Sequence, residues 1–243
     1  MRLVVVPDAA TLAGRAADAV EAAVRAQPTL ALALPTGETP LGLYAELARR
    51  RATGLSFERV AVFNLDEYVG LGPEHPLSCG AYMRAHVYEA LGLGLERCHL
   101  PDGCAPDLED ACRRYERAIA AAGGLGLAVL GVGANGHLGM NEPGTPHESR
   151  TQLRALDPRS LADNARLYPA GARLPSRGLT MGLGTILDAR ALVLIAFGAR
   201  KAAAIAAALD GPVDLACPAS CLQRHPDLTV ILDEAAAVGL RPR

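Results

Sequence analysis

The residues of this chain able to do chemistry gather in three glycine- and proline-rich loops and at two cations. The loop Gly131-Val132-Gly133-Ala134-Asn135-Gly136-His137-Leu138-Gly139-Met140-Asn141-Glu142-Pro143-Gly144 carries an imidazole and a carboxylate on a backbone that glycine leaves irregular. An imidazole titrates near neutrality, and with a carboxylate beside it suits general acid–base work. The first six residues also match G-x-G-x-x-G. A dinucleotide site needs the last glycines to open a helix, whereas here more Gly and polar positions and a proline follow. A metal site joining His137 to His75 or His147 fits no common zinc spacing, so no metal is expected. In Phe63-Asn64-Leu65-Asp66-Glu67-Tyr68 two adjacent carboxylates end an apolar run, where one can serve as a general base or cap a turn.

Pro35-Thr36-Gly37-Glu38-Thr39-Pro40 places hydroxyls on both sides of Gly37, ahead of a helical pattern whose first N–H groups are free. Those are the ingredients of a phosphate cradle. They equally describe an ordinary strand-to-helix turn with Thr39 as N-cap and Pro40 at the first helical position. Of 24 Lys and Arg residues only Lys201 is lysine. Either a compact ammonium is needed there where a broad guanidinium would not serve, or the survival of one lysine is chance. In the first turn of a helix its charge opposes the helix dipole, a mild cost that a bound anion would offset. Arg166, in Ala162-Asp163-Asn164-Ala165-Arg166, reads by itself as a solvated surface charge.

These loops must be held by elements that periodicity reveals. Short apolar runs at 29–34, 60–64, 125–132, 192–197 and 228–232 read as buried strands. Three-to-four spacing of apolar residues marks helices at 9–26, 41–52, 81–91, 108–122 and 199–209. The alternation predicts an α/β fold: a Rossmann-like three-layer sandwich, its sheet mostly parallel with helices on both faces. One domain is expected over residues 1–243, because a core still grows at this length. Gly and Pro cluster at strand ends, where open sheets of this kind place ligands.

Taken in order, the segments Leu34-Pro35-Thr36-Gly37 with Thr39-Pro40, Asn64-Leu65-Asp66-Glu67-Tyr68-Val69-Gly70-Leu71, Asn135-Gly136-His137, Asn141-Glu142-Pro143, Ser149-Arg150-Thr151, Leu179-Thr180-Met181-Gly182 and Ser220-Cys221-Leu222-Gln223 resemble the glucosamine-6-phosphate deaminase family, in its short, bacillus-like branch. The resemblance implies conversion of glucosamine 6-phosphate and water to fructose 6-phosphate and ammonia, without a cofactor. It implies that Asp66 removes the C2 proton, and that His137 opens the sugar ring with Asn135 and Glu142. It places Thr36, Gly37, Thr39, Arg166 and Lys201 on the sugar phosphate. Some relatives carry Asp where this chain has Asn135; an amide holds the ring without stabilising its charge, so His137 should be less basic here. Glu38, where many members have Gly or Ser, is expected to turn away from the phosphate. Long hexameric members bind an activator through a C-terminal extension; this chain stops at Arg243 and has Pro146 and Gln152 in part of the region concerned, so hyperbolic kinetics are expected.

Composition narrows the partners. Half of the 243 residues are hydrophobic, 21% are charged, and net charge is −2. Acids and bases are interspersed, so neither nucleic acid nor a membrane is an expected partner. The start has no leader pattern and the six cysteines form no Cys-x-x-Cys pair, so a cytoplasmic protein with reduced thiols is expected, as a monomer or small homo-oligomer. Two other readings stand beside the deaminase. A 6-phosphogluconolactonase shares the phosphate loop but needs no C2 base, and a sugar-phosphate sensor would carry a DNA-binding module for which residues 1–28 leave too little room.

Overall fold

The computed structural model describes residues 1–169 and 171–241; Ala170, Pro242 and Arg243 lie outside the description, and with them the chain end at Arg243 on which the kinetic expectation partly rests. In chain order the elements are β1 (Arg2–Val6), α1 (Ala9–Ala26), β2 (Ala31–Leu34), α2 (Leu41–Ala52), β3 (Ala61–Asn64), β4 (Asp66–Tyr68) and α3 (Cys79–Met83). α3 continues through a π-helical stretch, Arg84–Tyr88, into α4 (Glu89–Leu91). Then come β5 (Cys98–His99), α5 (Leu108–Ala121), β6 (Leu127–Leu130), β7 (Gln152–Ala155), α6 (Pro158–Asn164), β8 (Arg177–Thr180), α7 (Leu183–Leu187), β9 (Ala191–Ala196), α8 (Ala202–Asp210), β10 (Leu228–Asp233) and α9 (Glu234–Ala237).

Alternation along the strands explains the layers. Successive side chains of a strand point to opposite faces. Ala31, Ala33, Ala128, Leu130, Leu192 and Leu194 accordingly share one buried cluster with residues of α5, α7 and α8. Leu32, Leu34, Leu127, Val129, Val193 and Ile195 share a second cluster with α1 and α2. Both faces of the sheet are therefore covered, as the apolar runs require. The sheet has seven strands in the order β1-β10-β9-β6-β2-β3-β5, every pair parallel. The strand order reverses at β2, whose neighbours are β3 and β6. At such a reversal the loops leaving adjacent strands diverge and open a crevice at the carboxyl ends. The segments that follow β2, β3, β6 and β9 hold every candidate residue except Arg166, which follows α6.

Most expected elements are present with ends moved by a few residues. Four differences have physical causes. The helix expected at 81–91 starts at Cys79, because Ser78 accepts the Ala81 N–H (2.9 Å) and the buried Glu67 carboxylate accepts from Cys79 (3.0 Å) and Gly80 (2.9 Å). The helix expected at 199–209 begins as a 3₁₀ turn, Ala199–Lys201, and becomes α-helical at Ala202. Thr39 does not cap α2: Pro40 occupies the N-cap with no side-chain hydrogen bond, and Thr39 faces the crevice instead. A second, antiparallel sheet β4-β8-β7 was not anticipated; Asp66 pairs with Thr180 at its edge, so the carboxylate sits on a strand rather than in a loop.

Candidate active site

The crevice encloses about 640 Å³. Thr36, Gly37, Thr39, Asp66, His137, Arg166 and Lys201 line it. Asn135 and Glu142 stand behind His137 rather than on the wall. All nine expected residues thus belong to one constellation. His75 and His147 do not line the crevice, and among the described residues no group of three metal-binding side chains assembles.

No helix follows Gly136; the chain turns tightly, with Gly133 and His137 bonded through the backbone (3.0 Å) and a bridge between Leu138 and Asn141. That closes the dinucleotide reading of the loop. Gly133 is needed for close approach: a Cβ there would run into the His137 ring. Asn141 staples the loop to the end of β8, its amide donating to Leu138 O (2.9 Å) and Met181 O (2.8 Å).

His137 Nδ1 lies 2.7 Å from Asn135 Oδ1, and Asn135 Nδ2 donates to Glu142 Oε2 at 2.7 Å. The carboxylate only accepts, so it fixes the amide orientation; the amide oxygen also accepts the His137 backbone N–H at 3.1 Å. With an oxygen facing it, Nδ1 carries the proton and Nε2 is left as the ring's acceptor. Burial pushes the His137 pKa down, the nearby Glu142 carboxylate partly opposing this, so the ring is neutral at pH 7. Ser160 is a neighbour that spacing could not reveal: buried at the start of α6, it places Oγ 3.2 Å from Nδ1. The same helix start reaches Glu142, whose Oε1 accepts the Asp157 N–H at 3.4 Å.

Asp66 is 6% exposed, and burial raises its pKa to about 6. Glu67, its neighbour, points the other way along the strand, into the N-terminus of α3. Burial raises Glu67 to about 7 against the three backbone N–H groups, of Tyr68, Cys79 and Gly80, that it accepts. The adjacent carboxylates therefore have separate roles, since Asp66 faces the crevice and Glu67 caps a helix.

Both cations line the crevice. Lys201 Nζ donates to Val132 O at 2.9 Å, which ties the 3₁₀ turn to the end of β6 and leaves two N–H donors. Burial lowers its pKa. Arg166 is largely exposed and pairs with Asp163 at 3.2 Å. Exposed pairs contribute about 0–1 kcal/mol, so this one holds Arg166 only weakly. The loop at 35–37 is braced by tyrosines, Tyr44 donating to Pro35 O and Tyr82 to Gly37 O. Glu38 is exposed at the crevice wall and its charge is felt at Lys201, so it is not turned fully away as expected.

A family model described as glucosamine-6-phosphate isomerases/6-phosphogluconolactonase matches residues 8–231. Curated relatives named glucosamine-6-phosphate deaminase include one of Arthrobacter sp. (strain FB24), 47% identical over 99% of this chain and 93% of its own length. Another, of Rhodopirellula baltica, is 47% identical over 98% and 96%, and one of Bacillus velezensis 45% identical over 94% and 95%. A solved structure of a monomeric glucosamine-6-phosphate deaminase superposes with a TM-score of 0.95 at 37% identity, covering 98% of this chain and all of that one. A 6-phosphogluconolactonase from Trypanosoma cruzi superposes at 0.80 with 20% identity over 99% and 97%, a likeness of fold.

Proposed function

The chain belongs to the glucosamine-6-phosphate isomerase/6-phosphogluconolactonase family, and on that premise we propose that it converts glucosamine 6-phosphate and water to fructose 6-phosphate and ammonia. The observation that carries the reading is a buried carboxylate, Asp66, facing one crevice together with a neutral imidazole of fixed tautomer, His137. Lactone hydrolysis requires no base at C2; enolisation does.

Thr36, Gly37, Thr39, Arg166 and Lys201 hold the phosphoryl group, and its binding orients C1 and C2. His137 Nε2 accepts the anomeric hydroxyl proton and returns it to the ring oxygen, so the sugar opens to its aldehyde. The C2 proton, now next to a carbonyl, passes to Asp66 and an enolamine forms. A proton delivered to C1 gives the 2-imine, and water adds there to release ammonia. Each general acid–base step contributes roughly 10²–10⁴-fold. The reading takes the chain as a monomeric, single-domain cytoplasmic enzyme, in keeping with its likeness to a monomeric relative.

The test is ammonia release from glucosamine 6-phosphate, with its N-acetylated form and 6-phosphogluconolactone alongside. Ammonia from the free amine alone is expected. Turnover of the lactone in its place would overturn the reading.

A further inference from the structure

We infer that Cys79 is a positioning residue for Asp66: its thiol holds carboxylate oxygen Oδ1 and leaves Oδ2 to receive the substrate proton. The inference rests on reading Asp66 as the enolisation base.

Cys79 is buried, and its Sγ lies 3.5 Å from Asp66 Oδ1. This is the only hydrogen bond that the Asp66 side chain makes among the described residues. The other oxygen, Oδ2, accepts no hydrogen bond from the described residues and lies beside Gly139, a wall residue, where a Cβ would be 3.2 Å from it. The thiol is itself fixed in place. Cys79 is the first residue of α3, and its N–H donates to Glu67 Oε1 at 3.0 Å. Glu67 thus holds the helix that holds the thiol that holds Asp66, which gives the adjacent carboxylates a joint purpose.

Burial and the two carboxylates push the Cys79 thiol well up, so it remains S–H and donates. A thiol is a weak donor. It orients the carboxylate while removing little of its basicity, whereas a strong donor would lower its proton affinity. The other titratable groups that feel the Asp66 charge are Glu67 beside it, Tyr44 on α2, Tyr115 on α5, and Tyr68 and Tyr168 at the crevice. Burial raises all four tyrosines, so they stay neutral. Glu67 and His137 titrate as well, and both are common to wild type and to both Cys79 variants.

The experiment compares wild type, Cys79→Ala and Cys79→Ser by the pH dependence of kcat on glucosamine 6-phosphate, and by carbon-13 titration of the Asp66 carboxyl. Cys79→Ala is expected to lose roughly five- to tenfold in kcat with KM within about twofold, the scale of one hydrogen bond. Its acidic limb and carboxyl pKa should move to higher pH. Cys79→Ser should keep most of kcat and move both to lower pH, because O–H is the stronger donor. A purely structural role would move neither. Coincidence of Cys79→Ser with wild type overturns the inference even if the alanine variant does not fold. So do shifts of the same sign in both variants. An inactive wild type would count against the deaminase reading, and the carboxyl titration would still decide the thiol contact.

Discussion

Replacing Asp66 with asparagine should make the protein more stable as it becomes inactive, and the gain should depend on pH. An ordinary aspartate ionises near 3.8, and burial raises Asp66 to about 6. The folded state therefore disfavours the ionised form. The cost is absent well below pH 3.8, where the group is protonated in both states, and complete above pH 6. Each tenfold change in proton affinity corresponds to ~1.4 kcal/mol, so the full penalty is about 3 kcal/mol. Asparagine keeps the shape and does not titrate. Whatever fixed cost its amide carries is the same at every pH, and the pH-dependent part of the difference belongs to Asp66. Urea unfolding of both proteins at pH 4, 6 and 8 should show the variant gaining ~2–3 kcal/mol relative to wild type between the extremes. In thermal melts that is a relative rise of ~5–10 °C, at about 2–4 °C per kcal/mol for a chain of this size. Turnover should vanish while the substrate still binds. A difference that stays constant across pH, or that shrinks as pH rises, would refute the argument that Asp66 is held ionised at a cost.

Three further outcomes follow from the geometry. Lys201→Arg should raise KM on the order of tenfold and change kcat less, since a guanidinium cannot place its charge where Nζ sits 2.9 Å from Val132 O; steady-state kinetics decide it, and an unchanged KM would leave the lone lysine without a role. Asn135→Asp puts an anion beside His137 and raises the imidazole pKa, so the acidic limb of kcat/KM should move to higher pH, because the ring must be neutral to accept a proton. Gly133→Ala should cost roughly 10²-fold in kcat with little loss of folded protein in circular dichroism, as the added methyl displaces the His137 ring.

The central strands were legible because both of their faces are buried: Leu32 and Leu34 serve one core, Ala31 and Ala33 the other, and the run is apolar throughout. The same logic hid the second sheet. β4 is Asp-Glu-Tyr, three residues with no apolar alternation, and its partner Thr180 lies far along the chain. The nine site residues could be named because glycine, proline and resemblance marked their loops, and one crevice does hold or back all of them. Their supports could not. Cys79 and Ser160 touch Asp66 and His137 across 13 and 23 residues, and no periodicity links such positions. Lys201 was legible by composition, as the one lysine, while its bond to Val132 O needed the fold.

The amide between His137 and Glu142 has a consequence for where hydrogen can travel. Asn135 is a fixed dipole with no exchangeable acid proton to hand on, so it conducts orientation without conducting protons. On the proposed assignment, a hydrogen taken by the imidazole returns to the sugar, and one taken by Asp66, only 6% exposed, can return to carbon before it exchanges. Isotope placed at C2 should then reappear in part at C1 of the product, in a fraction set by how far the Asp66 proton exchanges with water before it returns to carbon.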